Sequence, residues 1–179
     1  ERKDTSIIIK HQTEDGTDLV TPETRPGKVG DEYRTDPIDF EEYDLKTTPD
    51  NANGNMAEEQ IEVIYVYSKV KGTITVNKVD KTDSSIKLEG ATFRLEKLDD
   101  TNHVDSSFEA IDKDTNEQGQ AIFENLDVGK YRLTEVKAPE GYELTNEVVD
   151  VEVTKAERDV NVTASDRLKI VLPNTGKIR

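Results

Sequence analysis

The chain has 179 residues, enough for one large or two small domains, and carries 39 acidic against 24 basic side chains for a formal net charge of −15. That balance excludes a nucleic-acid partner, which demands clustered lysine and arginine, and disfavours an anionic membrane surface. There is no cysteine, so disulfides and thiolate metal sites are unavailable, and no apolar run approaches the ~20 residues of a spanning helix.

From the N-terminus, turn signals stand at Glu14-Asp15-Gly16 and Asn53-Gly54-Asn55, and single helical turns are expected at Asp36 to Glu42 and Met56 to Gln60. Ile61-Glu62-Val63-Ile64-Tyr65-Val66-Tyr67 alternates as a strand does. The composition breaks near Ser68 to Gly72, which divides the chain into residues 1–70, 71–169 and a tail, 170–179. Beyond the break, Ile74 to Val79 and Val149 to Val153 alternate again, with turn signals at Gln118-Gly119-Gln120 and Pro139-Glu140-Gly141. No segment sustains a helical stripe of apolar residues, so the fold class expected is all-β. The two histidines, His11 and His103, are far apart in polar contexts and read as solvated side chains, with no metal site. Asp112, Asp114 and Asn116 sit at alternate positions, but an EF-hand would need glycine where Glu117 stands and glutamate where Phe123 stands. A solvated hairpin turn is the expectation there. No serine, histidine and aspartate form a nucleophile motif, so a hydrolase is not expected and no cofactor is called for.

In the first module, Ser6 to Thr17 resembles the opening hairpin of the mucin-binding-protein (MucBP) repeat. Pro22-Glu23-Thr24, Gly27 to Tyr33, Tyr43-Asp44-Leu45, Asn53-Gly54 and the Ile61 to Tyr67 strand follow in the order of that family. The resemblance implies a small β-grasp-like domain. It departs at His11, where the family prefers tyrosine, and at Phe40 to Tyr43, both places where a ligand would touch. Tyr33, Tyr43, Tyr65 and Tyr67 offer stacking faces for sugars, yet aromatic residues alternating on a half-buried strand form core more often than site.

The second module, residues 72–169, is similar to a collagen-adhesin B-type (Cna B-type, SpaA-like) domain. The match rests on Lys78 to Lys81, Leu88 to Leu95, Gly119 to Tyr131, and Tyr131 to Tyr142, the last resembling the pilin E-box with Val136 in place of threonine. An immunoglobulin-like β-sandwich is implied, which the alternation and turn spacing support independently. So is an intramolecular isopeptide bond between a lysine on the first strand and Asn or Asp on the last, promoted by a nearby carboxylate. Pleat parity locates the participants. Ile74, Val76 and Lys78 share one face; Val160, Val162, Ala164 and Asp166 share another; Tyr131, Leu133 and Glu135 share a third. A fully charged buried trio is costly, and redistributing a proton yields the neutral amine that is nucleophilic. Lys78 would then attack Asp166 while Glu135, protonated, stabilises the intermediate and shuttles protons until water leaves. A one-residue slip of the last strand would turn Ser165 inward instead, and Asn161, on the opposite face, is the fallback acceptor.

The tail contains Leu172-Pro173-Asn174-Thr175-Gly176, which resembles the LPxTG signal that sortase reads when it joins a protein covalently to peptidoglycan. Proline fixes the entry backbone, and glycine lets a nucleophile approach the scissile bond. Starting at Glu1 without a signal peptide, the chain is expected to be a piece of a longer secreted protein, monomeric and displayed on the wall of a Gram-positive bacterium. The expected function is the wall-proximal stalk of an adhesin. The alternatives are a first module that itself binds mucin glycans and, ranked below it, a pilus subunit.

Overall fold

A computed structural model describes residues 1–145, 147–170 and 172, and the chain divides into two compact units, Glu1–Val70 and Lys71–Arg179. Every regular element among the described residues is a strand. The first unit holds β1 (Asp4–Thr13), β2 (Glu23–Lys28), β3 (Glu32–Arg34), β4 (Tyr43–Thr47), β5 (Asn53–Asn55) and β6 (Ile61–Lys69). Its main sheet runs β2-β1-β6-β4, with β1 and β6 parallel at the centre and antiparallel strands outside; β3 and β5 form a separate pair. A parallel pair made of the first and last strands is the β-grasp arrangement, here without a helix across it.

The period of two sets the core. Ile7, Ile9 and His11 on β1 point inward beside Val63, Tyr65 and Tyr67 on β6, and Tyr33 and Met56 complete the cluster. Neither expected helical turn forms. At the first, the Ile38 N–H is drawn to the Tyr67 hydroxyl at 2.9 Å, and one isolated turn fixes more dihedrals than its hydrogen bond offsets. At the second, the Met56 N–H donates to Asp31 O at 2.8 Å and Met56 O accepts from Gly30 N–H at 2.8 Å, which holds the backbone extended. The Met56 side chain lies over Gly27 in a position that a Cβ there, 2.4 Å from its sulfur, would push aside. Asn53-Gly54-Asn55, read from sequence as a turn, is strand β5, because Tyr33 and its neighbours supply a pairing partner.

The second unit is a sandwich of β7 (Lys71–Asp80), β8 (Thr92–Leu98), β9 (Ile111–Asp114), β10 (Gln120–Asp127), β11 (Gly129–Lys137), β12 (Val148–Val153) and β13 (Asp159–Asp166). One sheet runs β10-β7-β13, the other β12-β11-β8-β9. Ile74, Val76 and Phe123 from the first sheet meet Phe93, Leu95, Tyr131 and Leu133 from the second in one apolar core. The Tyr131 hydroxyl donates to Asp127 O at 2.7 Å, pinning the β10–β11 corner as a tyrosine corner does in immunoglobulin-like sandwiches. The first and last strands, β7 and β13, run parallel in register from Thr73 beside Asp159 to Asp80 beside Asp166.

Candidate functional site

Three strands deliver one ionisable side chain each to the interior of the sandwich. Lys78 lies on β7, where its neighbours two and four residues back, Val76 and Ile74, are fully buried. Glu135 follows Tyr131 and Leu133 into the core from β11, on the opposite sheet. Asp166 ends the inward row of β13 and is 2% exposed, so the register places it inside; Ser165 is half-buried and Asn161 is turned to solvent. Lys78 Nζ stands 2.6 Å from Asp166 Oδ1 and 3.0 Å from Glu135 Oε1, with no part of any of the three side chains reaching water. The same nitrogen sits 5.5 Å from the Phe93 ring centroid.

These are ion-pair distances without hydrogen-bond directions. Lys78 Nζ, Glu135 Oε1 and both Asp166 carboxylate oxygens lack a hydrogen-bond partner of acceptable angle. Only Glu135 Oε2 has one, accepting the Thr145 N–H at 3.2 Å. Desolvation by burial, helped by the neighbouring Asp166 carboxyl and opposed by Lys78, pushes Glu135 up to about 7. The trio therefore carries a carboxyl that holds its proton near neutrality, a second carboxyl at contact distance and an amine between them. Close, dry and short of directional hydrogen bonds, such groups are costly as ions even when paired, and the cost falls if a covalent bond replaces the charges. A cavity of about 20 Å3, lined by Glu135, Phe93, Leu133, Thr145 and Val149 among others, adjoins the trio and has room for one water molecule.

Two residues with no role assigned from sequence stand beside this centre. Asp80, two positions beyond Lys78 on the same face, is buried and accepts four hydrogen bonds. Its Oδ1 takes the Thr82 N–H and hydroxyl, each at 2.8 Å, and the Asp83 N–H at 3.0 Å; its Oδ2 takes the Tyr142 hydroxyl at 2.8 Å. These donors, Tyr142 foremost, hold Asp80 down to about 2. Parity would have flagged Asp80, but nothing local in the sequence signals a partner lying 62 residues away.

His11 is not solvated: it is 6% exposed, stacked on Tyr65 at 5.2 Å between ring centroids, with Nδ1 3.0 Å from the Tyr67 hydroxyl. It follows Ile7 and Ile9 into the core, which overrides its polar neighbours. Phe40 packs edge-on to both His11 and Tyr67, so the two departures from the MucBP pattern meet each other. His103 is exposed. Asp112 pairs with Arg94 at 2.9 Å, Asp114 accepts from Thr92 at 2.5 Å, and the Asn116 side chain accepts two backbone N–H groups of its own turn. Asp112 and Asp114 thus serve the pairing of β9 with β8, and Asn116 closes a turn that carries the chain from one sheet to the other, where a hairpin was expected. Leu172 is exposed, while Pro173, Asn174, Thr175 and Gly176 lie outside the described residues.

A family model described as the SpaA prealbumin-like fold domain matches residues 72–168, more than half of the chain. The chain belongs to this family. Within the SpaA-like chain a second family model, the MucBP domain, matches residues 6–68. It is 31% identical over 151 residues to the trypsin-resistant surface T6 protein of Streptococcus pyogenes serotype M6, covering 83% of this chain and 26% of that protein. Internalin J of Listeria monocytogenes serotype 4b is 32% identical over 87 residues, 47% of this chain and 10% of its own length. The SpaA-like chain thus spans about a quarter of the one relative and a tenth of the other. Among solved structures, the Bacillus anthracis TIE protein superposes with a TM-score of 0.70 at 20% identity, over 91% of this chain and 34% of that one, a likeness of fold. The SpaA-like chain thus joins a MucBP domain to a prealbumin-like fold domain.

Proposed function

We propose that this chain is the wall-proximal stalk of a sortase-anchored surface adhesin of a Gram-positive bacterium, made resistant to load by an isopeptide bond between Lys78 and Asp166. The observation that carries the reading is the dry trio, with the Lys78 nitrogen 2.6 Å from Asp166 and a carboxyl raised to about 7 at 3.0 Å on its other side. With Glu135 protonated the trio is neutral overall, and transfer of one proton from the ammonium to Asp166 leaves an amine facing a carboxylic acid. Nζ attacks Cγ, Glu135 stabilises the oxygen of the tetrahedral intermediate and relays a proton, and the Cγ–O bond breaks with release of water. Proximity supplies most of the acceleration, so a single turnover without cofactor suffices. Sortase acting at Leu172 to Gly176 would then join the stalk to peptidoglycan.

The match to the MucBP family supports a second reading, in which the first unit binds mucin glycans. Against it, Tyr33, Tyr65 and Tyr67 are buried at 7%, 1% and 1% exposure, so only Tyr43 of the four keeps a partly open ring. A spacer role fits this surface better. The deciding experiment is intact mass spectrometry of the purified chain. Wild type is expected one water lighter than its sequence, and Lys78→Ala and Glu135→Ala at full mass. A wild-type chain at full mass would remove the bond and leave an ordinary sandwich.

A further inference from the structure

The loop that follows β11 is fastened over the buried trio by a side chain that the cross-linking chemistry itself does not use. The Tyr142 hydroxyl donates to Asp80 Oδ2 at 2.8 Å, and Asp80 cannot swing away because Thr82 and Asp83 hold its other oxygen. Around Tyr142 the loop also grips the segment leaving β13: Tyr142 bridges to Leu168, the Glu143 N–H donates to Arg167 O at 2.8 Å, and the Lys169 N–H donates to Gly141 O at 2.8 Å. The Lys81 N–H donates to the backbone oxygen of Asp166 at 2.9 Å, closing the gap between the two strand ends. Three residues beyond Tyr142, the Thr145 N–H makes the one directional hydrogen bond to a side chain of the trio among the described residues.

Resting on the cross-linking reading above, we infer that Tyr142 and Asp80 are positioning residues for isopeptide formation: their hydrogen bond sets the loop so that Thr145 orients the Glu135 carboxyl toward Lys78 and Asp166. In the step they serve, the Lys78 Nζ–Asp166 Cγ bond forms, the Cγ–O bond breaks, and a hydrogen from Nζ travels through Glu135 to the departing hydroxyl, which leaves as water. The arrangement also sorts two aspartates that lie side by side in register at the ends of β7 and β13. Asp80, saturated with donors, stays ionised and is a poor acyl acceptor. Asp166, with no such set of donors and only the Lys78 nitrogen facing it at 2.6 Å, is the one left to react.

The test follows the bond as it forms in the full chain. Chain recovered unfolded in denaturant, before it has reacted, is diluted into native buffer over a pH series, quenched with acid at intervals and weighed; rates are normalised to the folded fraction read by near-ultraviolet circular dichroism. Wild type is expected to lose one water at a rate that declines as pH rises through about 7, where Glu135 gives up its proton. Tyr142→Phe is expected to react roughly tenfold more slowly, the scale of one hydrogen bond to a charged group. Its decline is expected at higher pH, because the Thr145 N–H that favours the ionised carboxylate is no longer held in place. Asp80→Asn, whose single amide oxygen cannot serve both Tyr142 and the Thr82 and Asp83 donors, and Asp80→Ala are both expected to resemble Tyr142→Phe. The inference is overturned if Tyr142→Phe reacts at the wild-type rate, or if its slowing matches its loss of folded chain while the pH profile stays put. No loss of water from wild type would instead remove the cross-linking reading on which it rests.

Discussion

His11 shows how one polar residue in a core couples a fold to pH. The Tyr67 hydroxyl accepts the Ile38 N–H at 2.9 Å and stands 3.0 Å from His11 Nδ1. The ring sits among Phe40, Tyr65 and Tyr67, where an imidazolium is poorly solvated. Burial accordingly lowers the His11 pKa, with Glu23 pulling weakly the other way. Because the folded-state value lies below the ordinary 6.5, the unfolded chain takes up the proton first. The stabilisation from neutral His11 is present above about pH 6.5 and is lost as pH falls through the lower folded value, at no more than about 1.4 kcal/mol per pH unit. Denaturant melts of the first unit, followed by its tyrosines, should weaken as pH falls below about 6.5, and His11→Phe should flatten that slope. An unchanged slope in the variant would assign the acid sensitivity to carboxylates instead.

At the scale of elements, the chemistry depends on where strands end. Lys78 occupies a tight corner: its N–H donates to Gly119 O at 2.7 Å, and its own carbonyl accepts the Leu88 N–H at 3.0 Å. Gly119 has φ +72°, and a Cβ on it would lie 2.6 Å from the Lys78 oxygen. Gly119→Ala is therefore expected to destabilise the second unit by about 1–3 kcal/mol through strain and backbone displacement, measurable as a lower denaturant midpoint. A midpoint equal to wild type would mean that the β9–β10 turn moves aside freely. Strand ends also mark how far sequence reasoning reaches. Lys78, Glu135 and Asp166 were legible because a period of two carries each from apolar neighbours into the core, and the parallel register of β7 and β13 brings two of them level. The same parity marks His11 after Ile7 and Ile9, but its polar neighbours masked it. Tyr142 was visible as part of a motif and silent about its purpose, since its partner is fixed by tertiary pairing alone. The turn expected at Asn53-Gly54 failed for a related reason: β3 offered ladder hydrogen bonds that no local propensity reveals.

For the whole molecule, a bond from residue 78 to residue 166 would close nearly all of the second unit into one covalent loop. By the entropy of loop closure it is worth about 4 to 5 kcal/mol. Glu135→Gln is the cleanest comparison, since it keeps the volume of the side chain and the Lys78–Asp166 contact while removing the proton relay. Its unfolding free energy is expected to be lower than wild type by that amount, read from denaturant titrations of both. A bond present by mass with no difference in unfolding would place the stabilisation outside chain entropy. Because β7 and β13 are parallel neighbours, the chain enters this unit at the start of one and leaves at the end of the other, and the trio lies at that far end. An open unit pulled from both sides could pay out the segment between its strand ends, roughly 300 Å of extended chain. A closed one has only the few residues of β7 before Lys78 to give. The length that this unit adds to the stalk would then be a constant of its sequence, the same in still fluid and in flow.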